Sequence, residues 1–162
     1  MTDALPTELM GRDGMQVRLR RAVAADVPGL VRLLADDAIS AGRESDDLAP
    51  YQAAFARIDG DPGQLLVVGE LEEALVCTLQ LTVIPGLARA GALRGQVEAV
   101  RVRSDLRSQG IGEAMMRWAA DALRARGCAV AQLTTDKRRL DAHRFYARLG
   151  WVASHEGFKI QL

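Results

Sequence analysis

The sequence predicts one α/β domain built on a mixed sheet. The chain has 162 residues, enough for one domain with a substantial core. Hydrophobic residues make up 49% and charged residues 26% of it, which is typical of a globular protein rather than a disordered one. Segments with strand periodicity and segments with helical periodicity follow in the order β-α-α-β-β-β-α-β-α-β-β, without an internal repeat or linker.

Turn and capping signals divide the first half of the chain into a strand, two helices and a hairpin. The segment 16–22 alternates apolar and basic side chains, as half-buried strands do. Asp26 and Pro28 are suited to open a helix, and Asp46 or Asp47 to cap a second one. The predicted elements are the strand 16–22, a helix from Asp26, a helix ending near Ile58, and the hairpin strands Gln64–Leu71 and Ala74–Ile84.

The stretch 96–126 is predicted to be a strand, a short polar turn and an amphipathic helix in direct succession. Alternation places one set of strand side chains on each side of the sheet, Val97, Ala99 and Arg101 on one and Glu98, Val100 and Val102 on the other. The helix repeats apolar residues at i, i+3, i+4 and i+7. Its predicted buried face consists of Ile111, Ala114, Met115, Trp118, Ala119, Ala122 and Leu123.

The remaining residues predict a strand, a helix and two short final strands. Val130–Thr134 is the strand, and Leu140–Leu149 is a helix that Gly150 ends. Trp151–Ala153 and Phe158–Leu162 are the two final strands, joined by a turn.

The polar turn before the long helix is a candidate anion site. The first turn of a helix has N–H groups without intrahelical partners, and the helix dipole places partial positive charge there. Gly110 and Gly112 would let an anion approach these groups, and Arg107 adds a formal charge. Taken alone, a Gly-x-Gly pair favours a plain strand-to-helix turn. Position 115 is methionine instead of the third glycine of a dinucleotide fingerprint, and no Gly-Lys-Ser/Thr follows.

Two motifs resemble those of the GNAT superfamily of acyl-CoA-dependent N-acetyltransferases. Arg107-Ser-Gln-Gly-Ile-Gly112 is similar to Arg/Gln-x-x-Gly-x-Gly, and Asp141–Trp151 is similar to the Phe-Tyr-x-x-x-Gly-Phe helix and strand. The resemblance covers residues 16–162 and implies one domain with a mixed, mostly antiparallel central sheet flanked by helices. It also implies acetyl-CoA as cosubstrate, with its pyrophosphate in the loop and its pantetheine arm along the preceding strand.

The resemblance assigns cofactor-binding residues to the central strand, to the loop and to the region around the second motif. They are Val100, Arg101, Val102, Arg107, Ser108, Gln109, Gly110, Ile111, Gly112, Asp136 and Arg144. Gln109 stands where family members frequently carry Arg or Lys, and Asp136 stands where many carry Asn. Arg144 belongs to a basic cluster at 137–144 that could attract the 3′-phosphate or could simply be solvated.

Tyr146 and Glu98 are the catalytic candidates. Tyr146 matches the family's tyrosine, and a phenol with an unperturbed pKa near ~10 could protonate the departing thiolate. Periodicity alone favours Tyr146 as a core aromatic residue beside Phe145 and Leu149, whereas the motif favours the acid role. Glu98 resembles the glutamate that some members use as a base, and an ion pair with a nearby arginine (94, 101 or 103) is the structural alternative. His143 and His155 are weaker base candidates.

Charge and cysteine usage limit the classes of partner. The 21 basic and 21 acidic residues balance, and aromatic residues make up only 4%, which disfavours nucleic-acid binding. Cys77 and Cys128 lack metal-ligand spacing and are interpreted as buried reduced thiols, so no metal is expected. No apolar run reaches the ~18 residues that span a bilayer. Residues 1–14 lack a signal-peptide core and are predicted to be a flexible tail before a domain at 15–162, in a cytoplasmic protein.

These observations favour an N-acetyltransferase that transfers the acetyl group of acetyl-CoA to a primary amine by direct attack. The acceptor is expected to be a small molecule, with a protein N-terminus or lysine as the less favoured choice. The alternative is a module of the same fold that binds or senses acyl-CoA without turnover. A homodimer is consistent with the resemblance.

Overall fold

The computed structural model describes residues 5–37 and 42–162. Within these residues, six strands form one sheet in the order β1-β2-β3-β4-β5-β6. They are β1 (Thr7–Met10), β2 (Gln16–Arg21), β3 (Gln64–Leu71), β4 (Ala74–Ile84), β5 (Leu93–Val102) and β6 (Cys128–Leu133). The helices are α1 (Val27–Ala35), α2 (Ala49–Asp59), the single turn α3 (Ala88–Gly91), α4 (Ile111–Ala125) and α5 (Leu140–Arg148).

The strands confirm the predicted mixed sheet flanked by helices. Each consecutive pair from β1 to β5 is antiparallel, as short connections allow. Strand β6 follows the helical crossover through α4 and lies at the edge of the sheet. Residues up to Gln132 form one compact unit with nearly the whole sheet and α1–α4, and residues from Leu133 form a smaller unit that contains α5.

Helix α4 covers one face of the sheet in the first unit, and its predicted apolar stripe is largely buried. Side chains at 3.6-residue spacing are removed from solvent, as an amphipathic helix requires. The buried residues of α4 are Ile111, Met115, Met116, Ala119, Ala122 and Leu123. Leu123 lies directly over Gly95 of β5, where a Cβ would be 2.5 Å from the Leu123 methyl carbons. Glycine at position 95 therefore sets how closely α4 approaches the sheet.

The opposite face of the sheet is covered by α1 and α2. A buried cluster joins these helices to β3, and its members are Ala22, Val27, Leu30, Phe55 and Val68. The start of α1 follows the predicted signals, whereas the N-cap of α2 is Leu48 and Asp47 lies one residue before it. Pro28 lies in the first turn of α1, and Asp47 Oδ1 accepts a hydrogen bond from the N–H of Ala49 at 3.0 Å.

Both ends of the chain depart from the sequence prediction. Residues 7–10 form β1, which pairs with β2 from Thr7↔Leu19 to Met10↔Gln16, so the tail predicted over 1–14 is wrong for these residues. Residues 1–4 of that tail lie outside the described residues. Conversely, the strands predicted at 151–153 and 158–162 are not formed. Phe158, Ile160 and Leu162 keep their alternation but are exposed, because alternation makes a strand only where a neighbouring ladder accepts it.

A bulge interrupts β5 at its centre. Thr78 pairs with Arg101 and Gln80 with Glu98, so Ala99 and Val100 together lie opposite the single residue Leu79. Ala99 adopts φ 52°, which marks the irregularity. The uninterrupted alternation predicted for 97–102 is therefore wrong beyond Glu98, because the extra residue of a bulge shifts the side-chain period.

Candidate active site

The loop between β5 and α4 ends at an open helix N-terminus. Gly110 is the N-cap of α4 with φ 84°, and no side chain caps this end. The N–H of Ala114 bonds to Gly110 O at 3.0 Å, which leaves the N–H groups before it for an outside acceptor. Ser108 also adopts positive φ, at 66°. Uncapped amides together with the helix dipole favour an anion, so this loop fits a diphosphate.

Arg107 holds the loop in position through backbone oxygens. Its Nη2 donates to Asp36 O at 2.5 Å, beyond the end of α1, and its Nε donates to Val102 O at 3.2 Å. Asp36 also accepts from the N–H of Ser104, through Oδ2, at 2.6 Å. Arg107 therefore ties β5, the loop and α1 together, and its guanidinium already has two acceptors.

The turn between β1 and β2 packs against the same loop, which the sequence did not indicate. The N–H of Arg12 donates to Gln109 O at 2.6 Å. A Cβ on Gly110 would be 3.3 Å from both the backbone nitrogen and Cγ of Arg12, so the Arg12 side chain passes close to Gly110. A small cavity of about 210 Å³ lies here. It is lined by Met10, Gly11, Arg12, Gly110, Glu113, Ala114 and Arg117.

The cofactor residues predicted on β5 lie at and after the bulge. Val100, Arg101 and Val102 are half-buried, and Arg101 Nη1 donates to Val100 O at 2.9 Å. A bulge leaves one residue out of the ladder, so the backbone at Ala99–Val100 has a donor to offer to another acceptor. That is the property required to polarise a carbonyl oxygen.

Glu98 lies immediately before the bulge and is exposed. Within the described residues it forms no ion pair, and Arg103, one of its candidate partners, pairs with Asp105 at 2.7 Å. The structural alternative of an ion pair with Arg103 is therefore not realised.

A row of polar side chains continues from Glu98 across the same face of the sheet. Residues directly opposite in a sheet share a face, and Gln80 is opposite Glu98. We call these residues the amide row: Gln64, Gln80, Thr82, Gln96 and Gln132. Gln64 Oε1 accepts from Gln80 at 2.9 Å and from Thr82 at 2.7 Å, and Gln132 donates to Gln96 at 2.8 Å. All five are half-buried, so this face presents hydrogen-bonding groups rather than a sealed core.

The second unit contains the other predicted site residues. Tyr146 is half-buried on α5 and makes edge contacts with Phe145 and Trp151, with ring centroids 5.2 and 6.3 Å apart. The Asp136 carboxylate accepts from Arg138 at 2.8 and 3.0 Å. Arg144 pairs with Asp141 on the exposed surface of α5. The contacts with Phe145 and Trp151 fix the ring of Tyr146 within this unit.

A separate charged cleft of about 740 Å³ lies beside α1. Within it Arg20 bridges two carboxylates, Asp26 at 2.7 Å and Glu70 at 2.5 Å. The hydrogen bond from Arg20 holds the pKa of Asp26 below its ordinary value of 3.8, and the two carboxylates raise the pKa of Arg20. These groups satisfy one another, so we interpret the cluster as structural.

The described residues add two observations on ligands and membranes. Across 5–37 and 42–162, no group of three or more His, Cys, Asp or Glu side chains could hold a metal ion. No helix within these ranges combines the length and apolar character needed to cross a bilayer. Cys77 and Cys128 are free thiols, and burial raises the pKa of Cys77 to about 12.

Comparisons with known proteins agree with this geometry. The model of the acetyltransferase (GNAT) family matches residues 29–151. A solved structure described as a transcriptional regulator from Bacillus halodurans C-125 is 41% identical, with a TM-score of 0.87 over 90% of this chain and 99% of that one. A putative acetyltransferase from Agrobacterium tumefaciens str. C58 is 27% identical, with a TM-score of 0.80 over 89% and 99%.

A curated enzyme matches a shorter segment. The aminoalkylphosphonate N-acetyltransferase of Salmonella typhimurium is 38% identical over 64 residues, which are 40% of this chain and 42% of the enzyme. The chain thus spans less than half the length of this curated relative.

Proposed function

The chain belongs to the acetyltransferase (GNAT) family, and from this we propose that it transfers the acetyl group of acetyl-CoA to the primary amine of a small polar molecule. The observation that carries the proposal is the uncapped N-terminus of α4 behind Gly110, which lies within the residues that the family model matches. A diphosphate is the ligand for which such a backbone site is suited.

The loop residues fit the cosubstrate, which supplies an acetyl thioester when bound. Backbone N–H groups of Gly110, Ile111 and Gly112 would hold its diphosphate, with Arg107, Ser108 and Gln109 shaping the loop. Strand β5 from Val100 to Val102 would lie along its pantetheine arm. Asp136 and Arg144 remain predicted contacts, the first of them already engaged by Arg138.

In this proposal Glu98 accepts a proton from the amine and Tyr146 donates a proton to the leaving thiolate. An ammonium cannot attack a carbonyl, so Glu98 would accept a proton from the incoming amine, directly or through water. The amine nitrogen would then bond to the acetyl carbon, and the backbone donor at the β5 bulge would stabilise the oxyanion that forms. As this intermediate collapses, the carbon–sulfur bond would break and Tyr146 would donate its phenolic proton to the departing thiolate. The second proton of the attacking nitrogen would be lost as the amide forms, and through solvent it would restore the phenol of Tyr146.

The amide row supports a polar acceptor. Its carboxamides both donate and accept hydrogen bonds, and they begin beside Glu98, where the amine must be deprotonated. These side chains already bond to one another, and each carboxamide has further donor or acceptor capacity. An acceptor with hydroxyl, amide or similar groups would use that capacity, whereas a purely aliphatic amine would cover it without replacing the hydrogen bonds to water. We therefore expect small polar amines to be better substrates than aliphatic amines of equal size.

A second candidate function is acyl-CoA binding without turnover. The 41% identical relative is described as a transcriptional regulator, so a sensing role is a specific alternative. Both functions require the loop, and only the transferase requires Glu98 and Tyr146.

Titration calorimetry with acetyl-CoA, followed by an amine panel with free-thiol detection, tests both functions. Aminoalkylphosphonates come first in the panel because of the Salmonella relative, followed by hydroxylated amines, aliphatic amines and a peptide N-terminus. Thiol release with one amine class supports the transferase. Binding without release from any amine supports the sensor, and no binding contradicts both.

Location in the cytoplasm and assembly as a homodimer remain parts of the proposal. Sedimentation at several protein concentrations tests the dimer, and fractionation of the source cells tests the location.

A further inference from the structure

The side chain of Arg12 lines the cavity beside the proposed diphosphate loop, and among the described residues it has no partner. Its backbone is fixed there by the 2.6 Å hydrogen bond to Gln109 O, and its Cγ lies 3.3 Å from the position of a Cβ on Gly110. Residues 5–37 and 42–162 offer the Arg12 side chain no hydrogen bond or ion pair. The side chain is exposed and lines the cavity next to Gly110.

The other basic groups around this loop are already engaged. Arg107 donates to Asp36 O and Val102 O. Arg117, which also lines the cavity, pairs with Glu113 at 2.6 Å. The loop itself contributes the neutral Gln109 directly before Gly110. Within the described part of the chain, the cavity therefore has one cation that is not neutralised, and it comes from the turn between β1 and β2.

We propose that Arg12 binds the diphosphate of acetyl-CoA together with the N-terminus of α4, and so supplies the positive charge that Gln109 lacks. The proposal rests on the proposed function. An arginine can donate two parallel hydrogen bonds to phosphate oxygens, which adds direction as well as charge to backbone binding. Its backbone bond to Gln109 fixes the base of the side chain, so less freedom is lost when the anion binds. Glu113 opposes an anion, but Arg117 neutralises it.

Arg12→Gln tests the proposal, with Arg18→Gln as the matched control. Both arginines are exposed and both changes remove one charge near the amino end, but Arg18 lies within β2, paired with Glu8 and Glu70 in the sheet register. Calorimetry compares the binding of CoA with that of S-acetylpantetheine, which has no diphosphate. We expect Arg12→Gln to weaken CoA binding about tenfold or more and to leave S-acetylpantetheine binding unchanged. Arg18→Gln should change neither, and Arg12→Lys should recover part of the lost affinity.

Each other outcome overturns the proposal in a recognisable way. Equal CoA affinity in Arg12→Gln and the unaltered protein would exclude the contact. An equal loss for both ligands would indicate a general disturbance of the site, which unfolding temperatures of the free proteins would check. If the unaltered protein binds S-acetylpantetheine but not CoA, the diphosphate site is wrong. If it binds neither, the proposed function itself fails.

Discussion

The two family motifs lie in the loop before α4 and in helix α5, and they contribute different kinds of chemical group. The loop presents backbone groups at Gly110, which has no side chain, and its Arg107 is engaged in holding the loop. Helix α5 presents a side chain, because Tyr146 is fixed by aromatic neighbours and offers a phenol. A backbone site is disturbed by an added side chain, whereas a side-chain site is disturbed by the loss of one atom. Substitutions should therefore separate binding from turnover.

Tyr146→Phe should give the largest effect. The ring keeps its contacts with Phe145 and Trp151 and loses only the hydroxyl, so we expect turnover to fall by roughly 10²-fold or more while CoA affinity stays the same. Thiol release and calorimetry measure the two quantities. A variant with full turnover would remove Tyr146 from the acid role and end the proposed distinction between the two motifs.

Gly110→Ala should weaken CoA binding, the quantity that Tyr146→Phe leaves unchanged. Its φ of 84° is unfavourable for alanine, and the new Cβ would lie 3.3 Å from Arg12. We expect CoA affinity to fall by about one to two orders of magnitude and stability by about 1–2 kcal/mol. Gly150→Ala is the matched control, because Gly150 also has φ 84° but nothing within 4 Å of the added carbon. Equal loss of CoA affinity in both variants would mean that strain alone is responsible.

Glu98→Gln tests whether the first unit also contributes a side chain to turnover. The amide keeps the shape of the carboxylate but cannot accept the amine proton, so kcat/KM should fall by roughly 10- to 100-fold at neutral pH. CoA affinity should remain unchanged. Recovery of the rate at high pH, where the free amine is abundant, would support the base role. A pH profile identical to that of the unaltered enzyme would contradict it.

Asp26→Asn should give the smallest effect, a loss of stability, because Asp26 lies in neither motif. Arg20 lowers the pKa of Asp26, so the carboxylate stabilises the fold above its ordinary pKa of 3.8, and this stabilisation is lost as pH falls through the lower folded value. We expect a loss of about 1–2 kcal/mol at pH 7 that shrinks below pH 3.8. Urea unfolding at several pH values measures it. A difference from the unaltered protein that does not depend on pH would contradict the assignment.

The sequence predicted the parts of this molecule that depend on local pattern. The stripe on α4 through Met115, Ala119 and Leu123 is buried as expected, since helical period alone decides it. Three other features depend on distant partners. Strand β1 exists because β2 accepts it, and Arg12 meets Gln109 across almost a hundred residues. Nothing in the sequence around Ala99 indicates a bulge, because alanine has no preference for positive φ.

Strand β1 also acts as a protective border of the sheet. It covers backbone groups of β2 from Gln16 to Leu19, and Pro6 directly before it cannot donate to a further strand. A chain shortened to begin at Gln16 would leave β2 as a bare edge, which can pair with the same edge of another molecule. We expect such a chain to self-associate in solution. An affinity tag for purification should therefore be attached to an amino terminus that still contains residues 5–15.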